Sequence, residues 1–569
     1  MPGFTLVKGK LKNGFLDIGK EKLLVESLNY EDIKIQRRTL RKFLEDKVFY
    51  QDENYLILTE GVIFNKTDLV KKYKKENFKD TIIEMYKNKE EFFLEFRGTF
   101  SGVFIDKVTS KTLIYTDHIG NKKLYYSIFN NQIIIGYDLY EITDILRKNN
   151  KEYSFNKEAA YSLLIYGSML ENITLINEIK FLKAGQYIKI ENENIEVLRY
   201  HKLTQEPIEE KTEDEIIEKI DFLFKQAMKR QYLKNEEYNY LNIAPLSAGL
   251  DSRTTNFALK ELCKDKEVIN ITYSQNNYLD EKIPKVISKD LKNHWIFKSL
   301  NNGLSLKLIE EVNKITNGII LSYGACQTLD IVKYLNFENI GVIHTGMFGE
   351  CLAGGELDYT TLGKASEICT DRLKIKKSKI ERYDNFEIFN YYNGSFLKSF
   401  MGSPKIFQEI TESFSPFYDV DFVQYTLNIP AEIRKNHNIY DKWLLKKYPE
   451  SCKYLANGRK IGSKVIKLFG RDIPIHQVLP RGINFLLNKM KCKKESFETK
   501  KSMNPLDLWY EKNIQIKNYF DFLFNKFINE IEDNEIKKDC KELYINGNTL
   551  EKDLVLTFLL SYKNLFVAR

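Results

Sequence analysis

Short apolar runs separated by turns fill the first 200 residues of the chain. They include NYLILTEGVIFN (54–65), GTFSGVFID (98–106), NQIIIGY (131–137) and AGQYIKIENENIEVLRY (184–200). Such runs, rich in β-branched and aromatic residues and bounded by turn residues, are typical of strands. Helical spacing interrupts them near 67–92 and 156–168. The pattern predicts an α+β domain over residues 1–200, built as a sandwich of antiparallel sheets.

The pattern changes after the polar, proline-containing segment HKLTQEPIEEKT (201–212), which we interpret as a linker. EDEIIEKIDFLFKQAMKRQY (213–232) has apolar residues at helical spacing. The runs that follow alternate with helical stretches and read as buried strands: YNYLNIAPL (238–246), VINITYS (268–274), HWIFK (294–298) and GVIHT (341–345). This alternation predicts an α/β domain with a parallel sheet over residues 213–569, mostly helical from about 360 onward.

Charge and cysteine content restrict the class of partner. The chain of 569 residues has 87 basic and 79 acidic residues, a net charge of +8 that is small and dispersed, so we expect no nucleic-acid partner. No apolar run reaches the ~18 residues that span a bilayer, and we expect no membrane partner. The seven cysteines are odd in number and lack CxxC spacing, which indicates reduced thiols and a cytoplasmic protein.

The segment Pro245–Arg253 is the main candidate for chemistry. An apolar strand runs into SAGLDS (247–252) and then into a helix. Small residues let backbone N–H groups approach phosphate oxygens, and a helix N-terminus adds a favourable field. Ser247, Gly249 and Ser252 would line this cradle, and Asp251 would suit Mg²⁺ on the same phosphates. A small-residue turn alone is more often only a tight turn, so further motifs are needed.

Three segments together resemble the asparagine synthetase family. SAGLDS resembles its SGGxDS pyrophosphate loop, with Ala248 where the family usually has its first glycine. HTGMFGECLAGG (344–355) is similar to its SGEGSDELFGG loop, with Met347 where relatives carry a residue that assists the attacking amine. Residues 415–451, beginning SPFYD, resemble its PFLD segment and the lysine helix that follows.

The resemblance implies an adenine nucleotide α-hydrolase-like fold for the second domain, with ATP and Mg²⁺ as cofactors. It places Asp251 and Glu350 as magnesium ligands. Lys442 falls on the position whose ammonium stabilises charge that develops on the phosphates, so Lys442, Glu350 and Asp251 are the expected catalytic residues. The residues expected to bind ATP and its pyrophosphate are Ser247, Ala248, Gly249, Leu250, Asp251, Ser252, Ile271, Thr272, Tyr273, Ser274 and Gly346.

The first 200 residues resemble, in order, the class II glutamine amidotransferase domain, which implies an Ntn-hydrolase-like fold. The matching segments are EGVIFN (60–65), RGTFSGVFID (97–106) and TDHIGNKKLYY (116–126). Active members carry a catalytic cysteine at the second residue, where this chain has Pro2. Glu60 and Val62 also replace two residues that grip glutamine. We therefore expect a degenerate domain that does not hydrolyse glutamine and that serves as a scaffold.

The expected activity is that of an ATP-dependent carbon–nitrogen ligase, which adenylates a substrate carboxylate and couples it to an amine or to ammonia. The resemblance is strongest to asparagine synthase-related proteins of polysaccharide gene clusters, with lasso-peptide and β-lactam synthetases as more distant relatives. A macrolactam synthetase and an ammonia-using asparagine synthetase remain alternatives. A catalytically inactive interaction protein is the alternative from another class. The expected partners are a small-molecule or peptide carboxylate and an amine donor, and the resemblance allows a homodimer.

Overall fold

In the computed structural model, the structure describes residues 2–11, 15, 23–206, 208, 211–264, 266–349, 364–366, 369–373, 383, 385–456, 460–462, 465–468, 471–474 and 502–567. Within these ranges no helix is both long and apolar enough to cross a bilayer.

Two six-stranded antiparallel sheets form the N-terminal part. The first has the order β10-β8-β9-β1-β3-β2 and the second β12-β11-β7-β6-β5-β4. The strands are β1 Gly3–Lys8, β2 Leu24–Tyr30, β3 Ile33–Thr39, β4 Phe49–Gln51, β5 Tyr55–Ile63, β6 Gly98–Asp106, β7 Lys111–Thr116, β8 Tyr125–Phe129, β9 Gln132–Gly136, β10 Lys180–Phe181, β11 Gln186–Glu191 and β12 Asn194–Arg199.

Alternation along β5 shows how the layers form. Leu56 and Leu58 point into the core between the two sheets, whereas Ile57 packs into the core under the helices α1 (Lys66–Lys72) and α2 (Phe78–Asn88). This follows from the two-residue period of a strand. Helices α3 (Leu139–Lys148) and α4 (Lys157–Tyr166) cover the outer face of the first sheet. The predicted antiparallel sandwich is confirmed, and its four layers are consistent with an Ntn-hydrolase-like fold.

A five-stranded sheet with the order β15-β14-β13-β16-β17 follows, and all of its paired strands are parallel. The predicted parallel sheet is thus confirmed. Its strands are β13 Leu241–Pro245, β14 Val268–Ser274, β15 His294–Ser299, β16 Ile340–His344 and β17 Ser413–Phe414. The associated helices are α5 Glu213–Glu237, α6 Leu250–Cys263, α7 Leu279–Asp290, α8 Ile309–Ile315 and α9 Tyr323–Val332.

Helix α5 illustrates how local sequence sets these elements. Thr212 caps its start, because the Thr212 hydroxyl accepts the Glu215 N–H while the Glu215 carboxylate accepts the Thr212 N–H. Such a capping box satisfies backbone donors that a helix start leaves unpaired. Ile216, Ile220 and Phe224 then recur at helical spacing and enter one buried core with Ala244 of β13.

The described residues from 386 onward are mainly helical. The helices are α10 Phe386–Asn390, α11 Phe396–Met401, α12 Ser403–Phe407, α13 Val420–Asn428, α14 Ala431–Arg434, α15 Asn438–Lys447, α16 Leu506–Lys512, α17 Ile514–Phe527, α18 Asn534–Asn546 and α19 Thr549–Phe566. Strands β18 (Val465–Leu468) and β19 (Arg471–Pro474) form a small antiparallel pair. Helix α19 is buried along most of its length, in the same core as α4 of the first domain.

Candidate functional site

The strand order of the parallel sheet places a crevice between β13 and β16. From β13 the order runs through β14 to β15 on one side and through β16 to β17 on the other. At such a switch point the loops after the two central strands diverge, which opens a crevice at the carboxyl edge of the sheet. The loop after β13 begins at Leu246 and the loop after β16 begins at Thr345. These two loops contain the sequence motifs singled out above.

A cavity of about 310 Å³ occupies this crevice. A volume of this size is at the lower end of the range for small-molecule sites. Its lining residues are Pro245, Leu246, Ser247, Gly249, Asp251, Ser252, Ile271, Thr272, Tyr273, Asp280, Thr345, Gly346, Met347, Ser403, Phe407 and Met503.

Hydrogen bonds between two serines hold the first loop in its curved shape. The Ser247 N–H donates to Ser252 Oγ at 3.0 Å, and the two hydroxyl oxygens lie 2.8 Å apart. The Gly249 N–H donates to Ser247 Oγ at 3.1 Å. Gly249 is the N-cap of α6 and brings no side chain to cap that helix. The first turn of α6 therefore presents its backbone N–H groups and positive dipole end beside the cavity, as an anion site requires.

Asp280, at the start of α7, supports this loop from below. Its Oδ1 accepts the Ala248 N–H at 2.7 Å, and burial raises the pKa of the Asp280 carboxyl. Ala248 is fully buried, so its methyl group, which stands where the family usually has a glycine, packs inward. The alanine therefore changes the packing under the loop and leaves the cavity surface to its neighbours.

Tyr440 on α15 fixes the position of the Asp251 carboxylate. The Tyr440 hydroxyl donates to Asp251 Oδ1 at 2.6 Å. The ring is 1% exposed, and burial, followed by the charge of Asp251, raises the pKa of Tyr440 well above its usual value. The hydroxyl therefore stays protonated and keeps donating. Gly349 packs against the same carboxylate, since a Cβ there would lie 2.1 Å from Asp251 Cγ.

The structure does not bring Lys442 to this cavity. Its ammonium pairs with Glu213 of α5 at 2.6 Å, and both side chains are nearly half exposed. The reason is helical geometry: two residues correspond to about 200° around a helix, so Tyr440 and Lys442 face opposite sides of α15. A catalytic role for Lys442 stays a prediction, and this placement does not support it.

The other predicted positions divide into three groups. Those that line the cavity are Ser247, Gly249, Asp251, Ser252, Ile271, Thr272, Tyr273 and Gly346. Ala248, Leu250 and Ser274 do not line it, although they belong to the elements that surround it. Glu350, the expected second magnesium ligand, lies outside the described residues.

Sequence reasoning did not single out several wall residues of this cavity. Asp280 lies at the acidic start of α7, where the motif LDEK (279–282) was a usable signal. Ser403 and Phe407 come from α12, far along the chain, and Met503 from just before α16. Thr328 links this wall to the sheet, because its hydroxyl contacts Tyr273 at 3.0 Å and Ser403 at 2.6 Å. No local pattern indicated α12 as a wall.

Gly346→Ala tests the tight approach of the two loops. A Cβ at Gly346 would lie 2.2 Å from the backbone nitrogen of Ser252, a clash that only backbone movement can relieve. We expect the variant to lose about 3 kcal/mol of stability, since overpacking against backbone has no easy relaxation. Thermal unfolding measures it. Gly324→Ala is the matched control, because a Cβ at Gly324 meets nothing within 4 Å. Equal melting temperatures for the two variants would contradict the described packing.

The residue at the start of β1 carries no nucleophile. Pro2 precedes Gly3, which pairs with Arg38 of β3 and packs against the ring of Tyr137. Glu60 is 4% exposed nearby, accepts a hydrogen bond from the Thr39 hydroxyl at 3.0 Å, and has its pKa raised by burial. Buried charged side chains therefore occupy the region where the resemblance would place glutamine.

We expect the purified protein to release no glutamate from glutamine, because Pro2 has neither thiol nor hydroxyl. Pro2→Cys is expected to remain inactive as well, since Glu60 still replaces a glutamine-binding position. A coupled glutamate dehydrogenase assay measures both. Glutamate release above that of a heat-treated sample, by either protein, would refute the assignment of a degenerate site.

Comparison with known proteins is informative for the first domain. Residues 45–201 match the model of a glutamine amidotransferase domain, which suggests chemistry of amide or amino-group transfer. A search of the curated proteins found none that matches the chain.

Two solved structures are similar to part of the chain. One is glutamine phosphoribosylpyrophosphate amidotransferase from B. subtilis complexed with ADP and GMP, at 9% identity over 52% of this chain and 75% of that chain, with a TM-score of 0.23. The other is described as the allosteric regulatory enzyme of purine biosynthesis, at 9% identity over 52% and 74%, again with a TM-score of 0.23. A TM-score this low does not indicate a shared overall fold.

Proposed function

We propose that this chain is an ATP-dependent amide-forming ligase, which converts ATP to AMP and pyrophosphate while it joins a carboxylate to an amine. The observation that carries the proposal is the cavity at the switch point of the parallel sheet, walled by the SAGLDS loop and the N-terminus of α6. Anions bind at such helix termini, and nucleotides bind at such switch points. The asparagine synthetase resemblance of the same loops adds the adenylating chemistry.

The proposed reaction has two steps. A carboxylate oxygen of the substrate attacks the α-phosphorus of ATP and pyrophosphate leaves, which gives an acyl-adenylate. An amine then attacks the acyl carbon, AMP leaves, and the amine loses a proton. The backbone N–H groups at the start of α6 would stabilise the negative charge that grows on the leaving pyrophosphate, because they are already oriented before the reaction.

The residues present suit a magnesium ion carried in on the phosphates. Mg²⁺ is usually bound through one or two carboxylates together with phosphate oxygens and water. Asp251 offers a carboxylate beside the phosphate loop, and Tyr440 holds it in place. When bound, the ion would supply charge neutralisation at the phosphates. No cluster of three or more His, Cys, Asp or Glu side chains suited to a metal occurs in the described part of the chain, so the ATP phosphates would complete the coordination.

The first domain would then act as a scaffold for the second. Three ion pairs connect them: Lys122 with Glu412 at 2.8 Å, Arg97 with Asp421 at 2.9 Å, and Lys234 with Asp46 at 3.0 Å. Lys122, Glu412, Lys234 and Asp46 are almost completely buried. Breaking a buried pair is strongly destabilising, which favours a fixed arrangement of the domains. In this proposal the amine reaches the site without a glutaminase in the same chain.

Exchange of labelled pyrophosphate into ATP tests the activity. The assay is run with magnesium and a panel of uronic acids, dicarboxylic acids and amino acids. The proposal predicts exchange that requires both magnesium and one class of acid, together with AMP as the nucleotide product when an amine is added. ADP and phosphate as the products, or the absence of exchange with every acid, would contradict it.

A further inference from the structure

A second cavity of about 400 Å³ adjoins the nucleotide cavity, and Met347 and Ser403 line both. Its walls come from the end of α4, the start of α9, and helices α11 and α12. A group seated in this cavity would reach the nucleotide cavity at the junction formed by Met347 and Ser403. In an adenylating ligase the acyl substrate must lie next to the α-phosphate, so the second cavity is in the place for that substrate.

The polar groups of this second cavity are basic. Lys398 of α11 and Lys364 both line it, and none of the described lining residues is acidic. Within the described part of the chain the Lys398 ammonium has no hydrogen-bonding or ion-pair partner, and burial lowers the pKa of this lysine. An ammonium withdrawn from water without a counterion is costly, and an anionic ligand would remove that cost.

One carboxylate lies behind this wall, and its charge is weakened. Asp553 of α19 accepts the backbone N–H groups of Ser322 and Tyr323, at 3.1 and 3.2 Å. It is 1% exposed, and burial raises its pKa to about 7. Asp553 is therefore partly protonated at neutral pH and faces the backbone of α9, so it does not supply a counterion for a ligand ammonium in the cavity.

We propose that the second cavity binds the acyl substrate, and that this substrate is a carboxylic acid with a second anionic group and no ammonium. The inference rests on the proposed function for its reaction. Lys398 lines the second cavity alone, so the anion it binds is the distal group, while the carboxylate to be activated lies at the Met347 and Ser403 junction. An α-amino acid is disfavoured because its ammonium would meet two lysines and no acidic lining residue.

Binding of four small acids tests this inference on the full chain. Succinate and glutarate are compared with aspartate and glutamate, which add only an α-ammonium to the same skeletons. Calorimetric titration, with and without magnesium ATP, gives the dissociation constants. We expect saturable binding of at least one of succinate and glutarate, at least about tenfold tighter than that of its amino-acid counterpart.

Variants locate the binding. Lys398→Met is expected to weaken dicarboxylate binding at least about tenfold, and Lys398→Arg to retain most of it, because a charged hydrogen bond contributes on this scale. Lys333→Met is the matched control, since Lys333 pairs with Glu311 on the surface. Gly324→Leu fills the cavity, because a Cβ at Gly324 meets nothing within 4 Å, and should also abolish binding. It keeps the test decisive if Lys398→Met fails to fold.

The outcomes separate the two proposals. Unchanged dicarboxylate binding in Lys398→Met, equal or tighter binding of the amino acids, or no saturable binding of either dicarboxylate would overturn the substrate inference. Dicarboxylate binding that depends on Lys398, in a protein that does not bind magnesium ATP, would overturn the proposed ligase function and leave the cavity assignment standing.

Discussion

Asp251→Asn is expected to lower pyrophosphate exchange at least about 100-fold, the scale on which loss of one preorganised charge partner affects a phosphoryl site. The substitution preserves the shape of the side chain and its contact with the Tyr440 hydroxyl, which lies 2.6 Å from Asp251 Oδ1. It removes the negative charge that we assign to the magnesium ion. The expected defect is therefore in metal-dependent binding and rate, and the melting temperature should change little.

Asp290→Asn is the matched control for this prediction. Asp290 also accepts a hydrogen bond from a tyrosine hydroxyl, that of Tyr454 at 2.6 Å, but this pair is exposed and does not line the cavity. We expect Asp290→Asn to keep the exchange rate of the unmodified protein. Exchange that persists in Asp251→Asn would refute the assignment of the loop.

Arg434→Met is expected to lower the free energy of unfolding by about 3 to 5 kcal/mol, the usual cost of leaving a buried charge without its partner. Arg434 is fully buried, and its guanidinium donates to both oxygens of Glu387 at 2.6 and 2.9 Å. The Tyr391 hydroxyl donates to the same carboxylate at 2.8 Å. Urea unfolding followed by tryptophan fluorescence measures the change, since Trp443 is fully buried in the neighbouring helix α15.

Two further variants define what this measurement means. Arg434→Met combined with Glu387→Leu should recover part of the loss, because the buried carboxylate is then removed as well. Lys442→Met breaks the exposed pair with Glu213 and should cost no more than about 1 kcal/mol. A loss in Arg434→Met as small as that in Lys442→Met would contradict the buried pairing.

The fold class followed from periodicity where the pattern was strong. The buried runs around Ile243, Ile271 and Ile343 predicted strands of the parallel sheet, and all three are fully or almost fully buried. Helix α3 was missed because it follows β9 after a very short connection. Its apolar positions Leu139 and Ile142 have helical spacing, and Asp138 caps its start by accepting the Tyr140 and Glu141 N–H groups. That signal was present in the sequence.

The site was predictable only in its local part. The loop after β13 and the glycine after β16 lie where the motifs indicated, because each is fixed by a strand end and a short turn. The far wall depends on how α12 packs against the sheet, which no local pattern encodes. Likewise, the choice between Tyr440 and Lys442 depends on which face of α15 meets α6, and the packing of Trp443 and Tyr440 in the core decides it.

Titration of the full chain with magnesium ATP tests the central claim most directly. The account predicts saturable binding that disappears when EDTA removes the metal, weakens at least about tenfold in Asp251→Asn, and is unchanged in Asp290→Asn. Absence of magnesium-dependent ATP binding in the unmodified protein would contradict the claim that the cavity between β13 and β16 is a nucleotide site.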